Sequence, residues 1–346
     1  MLSVVTLQEQ EKWDALVKSF ANWDVYYLSG YVKAFQIHGD GEPLLFYYEQ
    51  DGLKGINVVM KRDIAKDSHF AGQIPEQTYF DFATPYGYGG WLTEGSGDRS
   101  ALFAAYEAWC RENSIVSEFV RFHPVLDNAA DSEGGYEVIS LGETVAMDLT
   151  SPEVIWANIT SKNRNVIRKA QKNGVTIHSG NSPELYETFR EIYNETMDKD
   201  QADPYYYFAP AFYDSIRNDL KEYASVYYAQ LEDGTIIAAS IMLEANGRLN
   251  YHLSGSRRAY QHLAPTNLLL CETANAGSAH GCRTFHLGGG VGSGEDSLFK
   301  FKRAFYRGDL CRFRIGKKIL IPELYQKLTA MRTEITRPGF FPEYRA

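Results

Sequence analysis

A glycine-rich run followed by lysines, arginines and aromatic residues is the part of the sequence best suited to chemistry. The run LGGGVGSGED occupies residues 287–296. Main-chain amides in such a turn can hold an anion or a developing oxyanion. The run lacks the Gly-Lys-Ser/Thr ending of a P-loop and the spacing of a dinucleotide fingerprint, which disfavours ATP and NAD. The structural alternative is a tight turn between a strand and a loop.

The chain also contains two strongly basic segments. Residues 298–318 contain eight Lys or Arg residues and one acid, and residues 162–172 contain five cations and no acid. A charge run is usually a solvated face. Two such runs in an acidic chain, one of them interleaved with Phe and Tyr, also suit a phosphate, a pyrophosphate or an RNA backbone.

Aromatic loops and histidines are the remaining candidates. The loop PYGYGGW (85–91), and similarly ADPYYYFAP (202–210), offers stacking faces and phenol groups for a sugar or peptide ligand, or places aromatic rings in the core. His252 and His286 lie on expected strands, where a histidine more often makes a structural hydrogen bond than acts as a base. We find no Ser-His-Asp arrangement, no HExxH motif and no paired-carboxylate motif.

Composition excludes several classes of protein. The chain has 346 residues, of which 44% are apolar and 23% charged, with a net charge of −9. This length predicts two domains, and no apolar run approaches the roughly 20 residues of a membrane span. The acidic balance argues against a dedicated nucleic-acid binder, although the basic segments leave an anionic substrate possible.

The cysteines and the N-terminus bear on the compartment. The four cysteines show neither zinc nor disulfide-framework spacing. The first residues lack the basic and apolar regions of a signal peptide. We therefore expect a reduced, metal-free, cytoplasmic protein.

The elements that position these residues form two similar halves. The first half predicts helices at 6–20, 29–38 and 98–113, a hairpin at 44–62 around Asp51-Gly52, and strands at 117–122 and 138–150. The second half predicts a basic helix at 152–172, helices to about 198, at 210–222 and at 265–280, and strands at 175–178, within 225–256 and at 282–287. The fold class expected is α+β, with domains at 1–150 and 151–346 that are each a mixed, mostly antiparallel sheet flanked by helices.

Four segments together resemble the FemAB-like branch of the GNAT acyltransferase superfamily. They are PYGYGG near residue 87, SKNRNVIRKAQKNGV (161–175), NYHLSGSRRAYQHLAPTNLLL (250–270) and FHLGGGVGSGEDSLFKFKRAF (285–305). The resemblance implies two tandem GNAT-like domains, with the acceptor side in 1–150 and the acyl-donor side in 151–346. The better-known members move an amino acid from aminoacyl-tRNA to an amine on a peptidoglycan precursor.

The resemblance also implies roles for individual residues. Phe301 and Lys302 look like the family's Phe-Lys pair, and the Lys302 ammonium would stabilise negative charge on the reacting ester. Asp296 borders this pair and is a candidate base, or only the cap of the following helix. We expect substrate contacts from Lys33, Tyr86, Tyr88, Arg168, Tyr251 and His252, and donor contacts from Gly288, Gly289, Gly290 and Arg303.

The resemblance implies no tightly bound cofactor, and the acyl donor is a co-substrate. Aminoacyl-tRNA and acyl-CoA both stay open, because the long helical arm of some members is absent and the nearest CoA-type signature, Gln261–Thr266, lacks both glycines. The expected function is transfer of an acyl or aminoacyl group to an amine of a cell-wall or surface-polysaccharide precursor. The expected partner is a nucleotide-sugar, peptide or glycan precursor, and the oligomeric state stays open. The alternatives are an acetyl-CoA-dependent amino-sugar N-acetyltransferase and a non-catalytic pair of domains that binds a glycan precursor.

Overall fold

A computed structural model describes residues 1–346, and these residues form two compact units. The first unit comprises Met1–Leu141 and Arg312–Ala346, and the second comprises Gly142–Cys311. The strands are β1 (Leu2–Thr6), β2 (Glu42–Gln50), β3 (Leu53–Asp63), β4 (Phe80–Ala83), β5 (Leu92–Gly95), β6 (Ile115–Arg121), β7 (Glu137–Asp148), β8 (Thr176–Gly180), β9 (Ala224–Gln230), β10 (Ile236–Ala245), β11 (Arg248–Ser256), β12 (Thr284–Gly288) and β13 (Cys311–Ile319). The α-helices are α1 (Gln10–Lys18), α2 (Ser29–His38), α3 (Arg99–Glu112), α4 (Pro152–Asn158), α5 (Ser161–Lys172), α6 (Pro183–Asp200), α7 (Pro210–Asp219), α8 (Pro265–Ala279), α9 (Ser297–Arg303) and α10 (Pro322–Ala330).

The sheet of the first unit has the order β1-β2-β3-β4-β6-β13, and β5 also pairs with β3. All of these pairs are antiparallel except β4 with β6. Phe46, Phe82, Trp91 and Tyr106 are fully buried members of the core. The sheet is therefore mixed but mostly antiparallel, as the sequence predicts.

The sheet of the second unit has the order β7-β12-β11-β10-β9-β8, and only β11 with β12 is parallel. Its core includes Met147, Ile167, Leu269 and Phe285. In each unit a helix lies along the chain between the two parallel strands, α3 between β4 and β6 and α8 between β11 and β12. This repeat confirms the predicted α+β fold class with two similar units.

Local sequence signals explain several boundaries. Asp51-Gly52 and Asn246-Gly247 both adopt positive φ at the turns of the hairpins β2–β3 and β10–β11, because a two-residue turn of this kind needs left-handed residues. Ser151 and Ser182 accept hydrogen bonds from the first turns of α4 and α6. The predicted hairpin and helix starts are confirmed.

Two predicted helices are wrong in part. The expected helix at 152–172 is broken, because Ile159 is extended and Thr160 caps a new helix by accepting a hydrogen bond from the Asn163 amide. The expected helix at 6–20 begins only at Gln10, because residues Leu2–Thr6 pair with β2 as a strand.

The observed units differ from the expected domains 1–150 and 151–346. The boundary between the two units lies after Leu141 rather than after residue 150, within strand β7. Residues Arg312–Ala346 join the first unit because β13 pairs with β6, for example Gly316 with Val120. None of the helices combines the length and the apolarity needed to cross a bilayer.

Candidate active site

The glycine-rich run connects β12 to α9 in the second unit. Gly288 ends β12 with a φ of +80°, a left-handed conformation that favours glycine. Helix α9 then begins after Asp296 and carries the Phe301-Lys302 pair in its last turn. A short loop therefore places the end of a strand beside the end of the following helix.

Lys302 is the buried cation of this site. Its Nζ donates a hydrogen bond to the carbonyl oxygen of Gly289 at 2.7 Å, and its side chain is 8% exposed. The Nζ also lies 6.0 Å from the ring centroid of Tyr251 on β11. Burial lowers the pKa of Lys302 to about 8, and the charge of Asp296 opposes this effect. Near neutral pH the side chain is therefore mostly an ammonium, and it loses its charge at a mildly alkaline pH.

Asp296 holds the loop that Lys302 contacts. Its Oδ1 accepts a hydrogen bond from the Phe299 amide at 2.8 Å, and its Oδ2 accepts one from the Val291 amide at 3.2 Å. These main-chain donors, first of all that of Phe299, lower the pKa of Asp296. A Cβ on Gly290 would lie 2.3 Å from Oδ1 of this carboxylate. Asp296 therefore has the geometry of a helix cap and loop clamp, and a proton-accepting role for it stays a prediction.

Tyr251 and His252 lie where the β10–β11 ladder shifts its register. Burial raises the pKa of Tyr251, while hydrogen bonds with Ser254 and Ser240 oppose the rise. Burial lowers the pKa of His252 to about 3, so that its imidazole is neutral at physiological pH. These two residues can orient a ligand by packing and neutral hydrogen bonds.

The predicted donor contacts are engaged within the protein. Arg303 donates hydrogen bonds to the carbonyl oxygens of Tyr306 at 2.5 Å, Gly308 at 2.8 Å and Arg307 at 3.3 Å, and so fixes the turn after α9. The Gly289 carbonyl accepts from Lys302. A role of Gly288, Gly289, Gly290 and Arg303 in binding the donor stays a prediction.

The start of α8 supplies a feature that the sequence reasoning undervalued. Ala264 precedes the helix with a φ of +53°, and no side chain caps the first turn. Asn267 in that turn donates to Oδ1 of Asn163 at 2.7 Å, and Asn163 donates to the Ala304 carbonyl at 3.4 Å. The starts of α5 and α8 and the end of α9 therefore meet around Asn163. The available signal was the position of Gln261–Thr266 between a strand and a helix.

Arg168 lies on the exposed face of α5. Its guanidinium is 5.1 Å from the ring centroid of Trp156, and its Nη1 donates to Asn165 at 3.3 Å. It shares this helix with Lys162, Lys169 and Lys172, all exposed. The structure places Arg168 in a basic surface rather than in the buried Lys302 cluster.

The remaining predicted contacts belong to the first unit. The Tyr86 ring stacks on Phe35 of α2 at 5.5 Å, and its carbonyl accepts from the Tyr31 hydroxyl at 2.5 Å. The Tyr88 ring lies 5.6 Å from Tyr26 and 5.5 Å from His123. Lys33 lies on α2 two residues before Phe35 and is half-buried.

The sequence reasoning missed a buried pair beside this aromatic cluster. Asp24 and His123 are both fully buried, and His123 Nε2 lies 3.6 Å from Asp24 Oδ2. Neither residue stands in a recognisable motif, and they are 99 positions apart, so only the folded chain brings them together.

Comparisons with known proteins agree with this geometry. Residues 161–303 match the family model of the acetyltransferase (GNAT) domain, a stretch that runs from the start of α5 to the end of α9. No curated protein sequence matches the chain significantly.

Three solved structures share the fold. FemX is 15% identical with a TM-score of 0.65, covering 94% of this chain and 99% of FemX. L-PGS from Bacillus licheniformis is 15% identical with a TM-score of 0.57, covering 89% of this chain and 91% of that one. The C-terminal domain of a putative lysylphosphatidylglycerol synthetase from Agrobacterium fabrum is 14% identical with a TM-score of 0.55, covering 90% and 91%.

Residues 161–303 match an acetyltransferase (GNAT) domain, and the fold of the chain is shared with FemX. The predicted resemblance to the FemAB-like branch is confirmed at the level of the fold, which is that of FemX. The prediction of an acyltransferase is confirmed by the GNAT domain that contains Lys302.

Proposed function

We propose that the protein transfers an acyl or aminoacyl group to an amine of a cell-wall or surface-polysaccharide precursor, in the cytoplasm. The observation that carries the proposal is the buried ammonium of Lys302, held 2.7 Å from the Gly289 carbonyl at the end of the GNAT domain. FemX, which shares the fold, is the precedent for the substrate class that the resemblance implies.

The reaction needs positioning and charge stabilisation more than covalent catalysis. The acceptor amine attacks the acyl carbonyl, so that a C–N bond forms while the bond from the carbonyl carbon to the ester oxygen or thioester sulfur breaks. Negative charge develops on the carbonyl oxygen and then on the leaving oxygen or sulfur, which takes up the proton that the amine loses. A buried ammonium near that charge stabilises the transition state more strongly than a solvated one would.

The acceptor is expected to contact the aromatic cluster of the first unit. Tyr86 and Tyr88 offer phenol groups, and Lys33 on α2 is a half-buried cation of the same unit, residue types suited to a phosphorylated or glycosylated precursor. For the second unit, the proposed substrate contacts are Tyr251, His252 and Arg168.

The start of α8 favours acyl-CoA as a donor to be tested beside aminoacyl-tRNA. At this start Pro265 has no N–H and the Asn267 N–H donates to the Ala264 carbonyl oxygen at 3.2 Å, so that the Thr266 N–H is the main-chain donor offered to a phosphate oxygen, next to the basic helix α5. An acetyl-CoA-dependent amino-sugar N-acetyltransferase is therefore the second candidate function. The exposed cations of α5 suit the phosphates of either donor.

A two-donor transfer assay tests the proposal. Purified protein is mixed with labelled acetyl-CoA or labelled aminoacyl-tRNA and a nucleotide-sugar peptide or an amino sugar. We expect acceptor labelling from one donor, strongly reduced in Lys302→Ala. Ligand stabilisation without transfer, unchanged in Lys302→Ala, would instead support the non-catalytic binding alternative.

A further inference from the structure

We propose that a cavity in the first unit binds a small phosphorylated molecule. The cavity has a volume of about 520 Å³, and its lining includes Lys61, Arg62, Lys66, Gln36 and Gln77. This volume is within the range of small-molecule sites. Every lining residue belongs to the first unit, whereas Lys302 belongs to the second, so the site is distinct from the Lys302 centre and does not depend on the proposed function.

The cavity is also distinct from the aromatic loop of the same unit, which carries Tyr86 and Tyr88. Phe80, the first residue of β4, lines the cavity. The loop that carries Tyr86 and Tyr88 follows Ala83, the last residue of β4. The cavity and the aromatic loop therefore lie at opposite ends of this strand.

Arg62 is fixed along one edge only. Its Nε donates to Oδ1 of Asp81 at 2.8 Å, and this carboxylate is fully buried. Its two terminal nitrogens make no hydrogen bond within the protein. A guanidinium anchored in this way is oriented before a ligand arrives, and its outer edge can donate two parallel hydrogen bonds to a phosphoryl group.

The acids around the cavity, buried Asp81 and half-buried Asp67 and Asp63, already accept hydrogen bonds within the protein. Asp81 also accepts from Nε of Arg345 at 2.6 Å, and Asp67 accepts from Nη1 of the same arginine at 2.9 Å. Burial by itself would raise the pKa of Asp81, but the charges of Arg62 and Arg345 hold it below its usual value. Asp63 accepts from the Gln77 amide at 2.8 Å. These carboxylates hold the wall together and offer few free acceptors.

Unlike these carboxylates, the two lysines of the cavity have no partner of opposite charge in the protein. Lys61 places its Nζ 3.9 Å from the ring centroid of Phe80, and Lys66 is exposed; neither makes an ion pair. Glu42 is the remaining acid of the lining, and its side chain is solvent-exposed. Among the lining groups that the protein itself does not engage, hydrogen-bond donors therefore outnumber acceptors, which fits a ligand with several anionic oxygens. The amides of Gln36 and Gln77 suit the hydroxyl groups of an attached sugar.

Isothermal titration calorimetry on the full chain tests the site with glucose 6-phosphate, glucose and citrate as probes. We expect glucose 6-phosphate to bind with a stoichiometry of one, and glucose and citrate to give no binding. The double variant Lys61→Met/Lys66→Met should weaken the binding about tenfold or more, because each lysine would contribute a charge-assisted hydrogen bond. Lys327→Met, on the exposed face of α10 and outside the cavity, is the matched control and should bind like the wild type.

Four results would overturn the proposal. One is the absence of glucose 6-phosphate binding at millimolar concentration in the wild-type protein. Another is an unchanged affinity in a double variant whose melting temperature shows that it is folded. The third is binding that Lys302→Met abolishes and the double variant preserves, which would place the phosphate in the second unit. Citrate binding that depends on the same lysines would overturn the phosphoryl class.

Discussion

Lys302 Nζ donates a hydrogen bond to the main-chain carbonyl of Gly289, 2.7 Å away, and this bond joins the end of α9 to the loop that precedes the same helix. Asp296 closes the loop from the other side through the Val291 and Phe299 amides. The result is a small unit in which a buried cation, a loop carbonyl and a capped helix fix one another. The following predictions test what each part does.

The rate of acyl transfer should fall as the pH rises through about 8. The ammonium form of Lys302 is the form that stabilises negative charge, and its pKa is lowered by burial to about 8. Because an arginine keeps its charge to a much higher pH, Lys302→Arg should lose this alkaline limb even if its absolute rate is low. The measurement is kcat against pH for both proteins. An alkaline limb at the same pH in the arginine variant would show that another group is responsible.

The free energy of unfolding should also depend on Lys302, but it should rise with pH where the rate of transfer falls. The folded-state pKa of about 8 lies below the unfolded value of about 10.4, so that between these values the unfolded chain binds more protons and the free energy of unfolding rises with pH. Below pH 8 the full cost of burying the ammonium, about 3 kcal/mol at most, opposes folding. Lys302→Met should therefore be more stable than the wild type at pH 7, and the difference should shrink toward pH 10. Chemical denaturation at several pH values measures it, and a difference that does not change with pH would contradict the assignment.

Asp296 should act by position rather than as a base. An asparagine retains the side-chain oxygen that caps α9, whereas an alanine removes both acceptors. We expect Asp296→Asn to keep most of the activity, and Asp296→Ala to lower both the melting temperature and kcat. If the asparagine variant were as inactive as the alanine variant while keeping the wild-type melting temperature, the carboxylate would be needed for chemistry.

Glycine should be essential at position 290 and dispensable at position 294. A Cβ on Gly290 would lie 2.3 Å from Asp296 Oδ1 and from the Gly294 carbonyl oxygen, whereas a Cβ on Gly294 would meet only the Val291 carbonyl oxygen, at 3.8 Å. Both residues have negative φ, so backbone strain does not separate them. Gly290→Ala should therefore reduce activity by displacing the loop, and Gly294→Ala should resemble the wild type. Equal activity in the two variants would mean that the loop geometry is unimportant.

Local features of the fold were predictable because their causes are local. The Asp-Gly and Asn-Gly turns require residues that accept positive φ, and the Ser-Pro helix starts combine a capping hydroxyl with a fixed φ. Helix α2 falls at the predicted residues 29–38, and β9, β10 and β11 are the predicted three strands. The break at Ile159 was not predicted, because the sequence does not show that the Thr160 hydroxyl caps a new helix by accepting a hydrogen bond from the Asn163 amide.

Long-range pairing was not predictable. Gly316 pairs with Val120, and nothing near residue 312 specifies a partner almost two hundred positions earlier, so the C-terminal segment was assigned to the wrong half of the chain. The burial of Lys302 was likewise not predictable from the local sequence, because the lysines and aromatic residues of α9 do not indicate which cation faces the core. The choice of Lys302 among the cations of α9 came from the resemblance to the Phe-Lys pair of the family, whereas its burial against Gly289 required the fold.

The most direct measurement is a single-turnover comparison of Lys302→Met with Lys300→Met, using whichever donor labels the acceptor. The two lysines lie two residues apart on α9, but Lys302 is buried against Gly289 and Lys300 is exposed. Loss of a charge-stabilising donor typically lowers the rate about 100-fold or more, and we expect this for Lys302→Met, with Lys300→Met close to the wild type. Equal rates in two folded variants would contradict the assignment of Lys302 as the residue that stabilises the transition state.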